Sequence, residues 1–552
     1  MSDLIITNAQ IWAPELIESD SILIRNDRIV VVGNLSEIHD RNPHRPIYLD
    51  VHGSAVLPGF HDAHVHPLGG GLDKLGCDLT TEHSLEGYER LILEFADAHE
   101  SEWITGGGWF GDVFPGGFPH REFIDRILPD RPVVLTSHDA HGVWVNSEAL
   151  KRAGIGQETP DPTFGIIQRD ENGEATGVLL EAASELVTGH LPKPSPDRLV
   201  QAMAAAQEYL FSLGITAWHD AILGEYLTMP SAIETYQQML SDGTLSARVS
   251  GSMWWIPGNG PEDVCEILQR VSEAKVGGFE VTSVKIMQDG MCENCTAAML
   301  APYDNVHPEI SGDSVIPPED LSRIVTALDA HGLSVHFHGV GDRAVRECLN
   351  AVEAARIANG PEGPKHQIAH LDVVNPEDFS RFAELNVTAN LQPLWARADQ
   401  EILERKLPLI GERAKHHFPF GSLQRAGAHI AFGSDWPVSD PNPIWGLHTA
   451  CTRTAPLDDP HALNEESRVA MTPEECLGLE VAVRAYTLGP AEINNVDHEM
   501  GRIQESYLAD LVILSGPLNE VADLNTLSVA KTLVGGVLVY EASSSSIGKA
   551  RV

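Results

Sequence analysis

The sequence predicts an α/β protein: a (β/α)8, TIM-like barrel with a small β-sandwich formed by both chain ends and an insertion after the first barrel strand. Three observations lead there. Eight β-branched or apolar runs alternate with helical patterns through the middle of the chain, the signature of βαβ units around a parallel sheet. Both ends carry a different texture, short β-type runs separated by Gly, Asn and Asp. The chain has 552 residues, too many for one ordinary core, whereas a barrel commonly takes about 250 residues or more and leaves room for a satellite.

In chain order, residues 1–57 read LIITNAQIW, SILIRNDRIVVVG and RPIYLDVHGSAVLPG, and residues 492–545 contain ADLVILSG and AKTLVGGVLVYE. These two segments form the predicted sandwich and bracket the barrel, residues 58–491. The candidate barrel strands are AVLPGFHDAHVH, GITAWHDA, ARVSGSMWWI, EVTSVKIMQDG, LSVHFHG, HQIAH, VTANLQP and HIAFGSDWP. The stretches from Pro196 to Leu213 and from Pro318 to His331 have helical periodicity. Residues 69–193 are too long for a simple βα connection and carry GGGWFGDVFPGGFP, which predicts a functional insertion, a candidate lid.

Composition narrows the function classes. With 43% hydrophobic and 21% charged residues, the chain is globular rather than disordered. A formal charge of −42, from 79 acidic against 37 basic residues, opposes the attraction that nucleic-acid or anionic-membrane binding needs. No basic n-region followed by an apolar segment opens the sequence, and no apolar run is long enough to cross a bilayer, so a cytoplasmic protein is expected. Seven irregularly spaced cysteines read as reduced thiols, not as a disulfide framework.

The chemistry-bearing residues fall at the C-terminal ends of candidate strands, where barrel sites are assembled. In His61-Asp62-Ala63-His64-Val65-His66, His64 and His66 are two apart on a strand and can face one metal together. His338 in VHFHGVGDRA, His370 in HQIAH and Asp435 in FGSDWP follow on other strands. Each alone also reads as a hydrogen-bonded core histidine or a turn-capping aspartate; together on one rim they point to metal. Lys285, in SVKIMQDG, sits in an apolar strand interior, where an ammonium is expensive. A depressed pKa would free its amine to react with carbon dioxide, giving a carbamate whose two oxygens can bridge two metals. Pairing with Asp289 or another carboxylate is the competing reading.

The stretches PGFHDAHVHP, RPVVLTSHDAHGVWVNSEAL, GEATGVLLE, VKIMQDG with TAAM, VHFHGVGDRA, HQIAH, GSDWPV and ADLVIL resemble the amidohydrolase superfamily, and within it the YtcJ-like branch of metal-dependent hydrolases, over nearly the whole chain. The resemblance implies that His64 and His66 bind the more buried metal with Asp435, that His338 and His370 bind a second, and that carboxylated Lys285 bridges them. Zinc is the first expectation for both ions, with iron, manganese or nickel as alternatives. The implied reaction is hydrolysis of an amide-type C–N bond in a small molecule by a metal-bridging hydroxide, with Asp435 as base and then acid. N-acyl and N-formyl amines lead the substrates, because the branch resembles N-substituted formamide deformylases. A homo-oligomer is a further expectation from the family. Mononuclear deamination of a ring or guanidine-like substrate and a non-catalytic scaffold are the alternatives.

Trp109, His141, Asn146 and His336 are candidate substrate contacts, and Trp109, Phe110, Trp254, Trp255 and Trp395 candidate apolar walls. Two departures from the family pattern stand out. Ala369 occupies a position that is acidic in many relatives, which leaves the surroundings of His370 open. Cys292 and Cys295 form a lone C-x-x-C, read as local packing over metal ligation.

Overall fold

The computed structural model describes residues 3–138, 140–162, 165–226, 229–275 and 279–543. Its centre is an eight-stranded, all-parallel sheet in sequential order: β1 (Phe60–Val65), β2 (Ile215–Leu223), β3 (Arg248–Trp254), β4 (Glu280–Met287), β5 (Ser334–Gly339), β6 (Gln367–His370), β7 (Thr388–Leu391) and β8 (His429–Phe432). Strands β1, β2 and β5 are buried along their whole length, as parallel strands covered on both faces are. The ends of the sheet meet just beyond β8, where Asp435 N donates to His64 O at 2.7 Å and His66 N to Trp436 O at 2.8 Å. The eight strands are those the sequence marks, closed into a TIM-like barrel.

Closure depends on a glycine. A Cβ on Gly433 would lie 2.5 Å from the backbone nitrogen of His64 and 2.6 Å from its Cβ. Gly433→Ala is therefore expected to destabilise the protein by about 1–3 kcal/mol through overpacking and to displace His64. Thermal unfolding of the metal-free variant checks the first effect, and an unchanged midpoint would contradict it.

The helices predicted at Pro196–Leu213 and Pro318–His331 are observed at Pro196–Ser212 and Pro318–Ala330. The first starts where Ser195 accepts a hydrogen bond from Arg198 N with Pro196 in the first turn, the residues that suit a helix start. The second buries Leu321, Ile324, Val325 and Leu328, one helical face.

Two further sheets come from the chain ends. Arg28–Gly33, Ser21–Arg25, Leu4–Thr7 and Ile47–Asp50 form one; Gln10–Ile11, Ala55–Pro58, Leu511–Leu514, Val529–Val534 and Val537–Glu541 form the other. Ile6, Ile22 and Ile24 from the first share a buried cluster with Val56, Leu511 and Leu533 from the second. The segment AVLPGFHDAHVH, read as one strand, is two: Ala55–Pro58 pairs with Leu511–Leu514 and Phe60–Val65 with β2. The break is at Gly59, where a Cβ would fall 2.1 Å from Thr216 Oγ1.

Between β1 and β2 the chain builds a six-stranded mixed sheet from Cys77–Asp78 to Ala175–Glu181, with helices at Leu85–Ala98, Arg121–Ile127 and Ser147–Ala153. The Gly-rich stretch is its Ile104–Trp109 strand and the turns that follow. No helix among the described residues is long and apolar enough to cross a membrane.

Candidate metal centre

The barrel registers deliver the predicted residues to one rim. Lys285 on β4 pairs in register with His336 on β5, and Gly339 at the end of β5 with His370 on β6. Asp435 follows β8, and His66 begins the helix Pro67–Lys74 after β1. His64, His370 and Asp435 each offer a ligand atom, all within 4.8 Å of one another. His66 Nε2 lies 3.1 Å and His64 Nε2 3.3 Å from Asp435 Oδ1, and the rings of His338 and His370 are 4.4 Å apart. His370 and Asp435 both have positive φ, 80° and 59°, backbone strain of a kind that clusters at functional sites.

The hydrogen bonds behind the rings decide which nitrogens carry lone pairs. His338 Nδ1 is 3.2 Å from Asp289 Oδ1, and the Asp289 carboxylate also accepts from the backbone of Ala298, Val340 and Gly341. His370 Nδ1 is 3.0 Å from Gln392 Oε1, whose amide is oriented by donation to Asn390 Oδ1. Each acceptor needs an N–H opposite it, so the lone pair of either neutral ring is left on Nε2. Ala369, facing His338 in register, supplies no polar group; Gln392 beyond β7 orients His370 instead.

Electrostatics agrees with a cation's donor set. Burial, with Lys285 and the other histidines of the cluster close by, holds His64 well below the usual histidine range. Burial and neighbouring His338 do the same for His370. Burial alone would raise the Asp435 carboxyl, but the His66 hydrogen bond and the positive surroundings outweigh it and keep it below its ordinary value. The neutral rings of His64 and His370 thus face an ionised, buried carboxylate whose Oδ1 lies 3.3 Å from His64 Nε2 and 3.1 Å from His66 Nε2. Imidazole nitrogens and carboxylate oxygen in this arrangement fit a divalent metal.

Lys285 is 2% exposed, and desolvation pulls its pKa down to about 7 against the opposing pull of Asp435. No carboxylate among the described residues lies within 4.0 Å of it, and Asp289 is committed to His338 and three backbone amides. The competing reading of Lys285, a structural ion pair with Asp289, is therefore not what the structure contains.

The other candidates divide. His141 Nδ1 is 3.1 Å from Glu181, and Glu181 has φ 50°, ψ −133°, so the insertion carries a partly buried His–Glu pair. Asn146 caps the helix Ser147–Ala153, bonding the backbone of Val133, Ala149, Leu128 and Arg131, which leaves no polar group to offer a substrate. Trp109 is packed in the insertion core with its indole N–H on Leu135 O. His336 Nε2 lies 2.9 Å from His64 Nδ1.

A cavity of about 360 Å³ adjoins the centre and is walled by Phe110, Tyr209, Trp395, Trp436 and Trp445. None of the six predicted ligands lines it. It reaches them through Trp395, which stacks on His370 at 5.3 Å and 5°, and Trp436, next to Asp435. Of the predicted apolar walls, Phe110 and Trp395 are there; Trp254 and Trp255 are buried elsewhere. Cys292 and Cys295 join no three-residue ligand cluster among the described residues; Cys292 is fully buried among Met291, Ala297 and Tyr303.

Sequence reasoning missed the residues that hold the ligands. Asp62 Oδ1 accepts from His64 N and Ser434 N, 3.0 Å each, tying β1 to the turn that carries Asp435. It shares strand parity with His64 and could have been marked on that ground. Asp289 stands four residues after Lys285, and Gln392 shows no signal in the sequence. Asp289→Asn puts an amide where His338 needs a carboxylate, and a 10–100-fold loss of metal affinity is expected, measurable by competition with a chelator.

Comparison with known proteins follows the same line. The profile described as Amidohydrolase family matches residues 48–540. The chain is 32% identical to the protein LONG AFTER FAR-RED 3 of Arabidopsis thaliana, over 98% of this chain and 92% of that one. It is 30% identical to the protein YtcJ of Bacillus subtilis (strain 168), over 90% of each. An N-substituted formamide deformylase of Arthrobacter pascens is 26% identical over 99% of both. A crystal structure of an uncharacterised metal-dependent hydrolase from Pyrococcus furiosus superposes with a TM-score of 0.68 at 23% identity, covering 93% of this chain and 98% of that one, a likeness of fold.

Proposed function

The chain belongs to the amidohydrolase family, and from that premise we propose that it hydrolyses an amide-type C–N bond in a small molecule, an N-acyl or N-formyl amine, to an acid and an amine. The observation that carries this reading is the gathering of the buried, neutral rings of His64 and His370 with the ionised Asp435 carboxylate at the barrel's C-terminal rim. The similarity to a formamide deformylase supports the choice of bond.

In this reading His64, His66 and Asp435 would hold one divalent ion, zinc first, and His338 and His370 a second. The free amine of Lys285 would take up carbon dioxide with loss of a proton, and the resulting carbamate would add oxygen donors to the site. When bound, such ions acidify water enough to make it a nucleophile near neutrality and polarise a carbonyl oxygen. Asp435 takes the proton from the attacking water and returns it to the leaving nitrogen, which departs as a neutral amine. The His141–Glu181 pair, brought over by the insertion, orients the carbonyl. Trp395, Phe110 and the other aromatic walls of the cavity take the apolar part of the substrate.

A specific observation favours a second reading. His64, His370 and Asp435 by themselves form one ion's donor set, which suits a mononuclear deaminase. Metal content per chain and a panel of N-acyl and N-formyl amines, assayed for amine and for ammonia, separate the two. Two ions with amine and acid released support the proposal; one ion with ammonia released turns it to deamination.

A further inference from the structure

His64 is oriented by a string of polar side chains that runs through the barrel interior, where apolar layers are the rule. Asn494, beyond the last barrel strand, holds its Oδ1 2.9 Å from His219 Nδ1. His219 Nε2 is 2.7 Å from Ser252 Oγ. Ser252 Oγ is 2.6 Å from Ser283 Oγ and 3.1 Å from His336 Nδ1. His336 Nε2 is 2.9 Å from His64 Nδ1. His219, Ser252, Ser283, His336 and His64 are all 0–1% exposed, so water cannot rearrange these contacts.

Proton counting fixes the direction along this string. Asn494 Nδ2 donates to Pro490 O and Asn494 Oδ1 accepts from Thr282 Oγ1, so Oδ1 is the face toward His219 and can only accept. His219 Nδ1 therefore carries the hydrogen, with Ser250 Oγ also 3.0 Å away. Nε2 of this neutral ring carries none and faces Ser252 Oγ at 2.7 Å and, farther off, Ser283 Oγ at 3.4 Å. Three short contacts then meet around Ser252, and three protons remain to fill them: one on Ser252, one on Ser283 and one on His336 Nδ1. All three are required, so His336 Nδ1 donates. Its Nε2 is left as an acceptor, because the ring is fully buried with no carboxylate within 4.0 Å among the described residues, a place where a second ring proton is expensive. His64 Nδ1 must in turn donate, and the His64 lone pair falls on Nε2, 3.3 Å from Asp435 Oδ1.

We propose that Asn494, His219, Ser252 and His336 are positioning residues whose fixed hydrogen-bond polarity sets the tautomer of His64 and keeps its Nε2 lone pair turned toward the metal position. The role of His336 is thus to orient a ligand from behind rather than to touch substrate. With the opposite polarity His64 would present an N–H to the cation and could not ligate it. The assignment rests on the metal reading above.

The test compares His336→Gln, His336→Phe and Ser252→Ala with the wild type for Zn2+ affinity, by chelator competition, with unfolding of each metal-free protein as a control. A glutamine can accept from His64 and donate to Ser252, so His336→Gln is expected to stay within about 3-fold of the wild type. His336→Phe, and Ser252→Ala, which leaves the His336 N–H without its acceptor, are expected to lose about 10–100-fold while the metal-free proteins stay folded. His336→Gln as weak as His336→Phe, or Ser252→Ala at wild-type affinity, overturns the proposal. A wild type that takes up no divalent metal overturns the metal centre itself and this assignment with it. If His336→Phe fails to fold, the Ser252→Ala affinity decides alone.

Discussion

Asp435→Asn is expected to lower kcat by about 10²–10⁴-fold, the range over which a positioned acid–base group contributes, while leaving the barrel folded. The change is nearly isosteric, and Asp435 N still donates to His64 O, so the junction between β1 and β8 survives. What is lost is charge. Asp435 is the buried carboxylate whose Oδ1 both His64 Nε2 and His66 Nε2 approach within 3.3 Å. An amide there can neither attract the cation as strongly nor accept the proton of the attacking water. Turnover, metal content and unfolding measured on the same preparation check this: a variant within tenfold of the wild type would remove Asp435 from the chemistry.

The barrel was readable because parallel strands buried on both faces are continuous apolar runs, and the candidate metal residues because they interrupt those runs at the same end. Lys285 stood out for the same reason, a charge in the middle of SVKIM. The break at Gly59 was hidden, since both sides of it are buried β-structure and only the corner against Thr216 separates them. The contact of Asp289 with His338, and Gln392 and Asn494 altogether, escaped for a different reason. They work through contacts that join positions far apart, such as Asn494 with His219 across 275 residues, and no local spacing records such a contact. Asn146 and Trp109 misled in the opposite sense: a polar and an aromatic residue in a Gly-rich insertion look available, yet one spends all its hydrogen bonds on a helix start and the other packs in that insertion's own core.

Lys285→Met is expected to move stability and metal binding in opposite directions. Methionine has similar length and no charge, so the metal-free variant should be at least as stable as the wild type, because it no longer buries an amine without a partner. The pH dependence gives the sign. Lys285 is pulled down to about 7 in the folded protein, whereas an unfolded lysine titrates near 10.4. Between those values the unfolded chain binds more protons than the folded one, so this group makes stability rise with pH, by up to ~1.4 kcal/mol per pH unit, from about pH 7 until the unfolded lysine also loses its proton. Unfolding of metal-free wild type and variant between pH 6 and 10 isolates that contribution as their difference, which should shrink as pH rises. If the proposed bridged centre holds, metal content should meanwhile fall below two ions per chain, and turnover with it by about 10²-fold or more, since both would then depend on carbamate oxygens rather than on packing. A variant that keeps both ions and its activity would show that Lys285 bridges nothing. A stability difference that is flat across the same pH range would show instead that the folded lysine keeps its proton, and with it that no free amine is there to react with carbon dioxide.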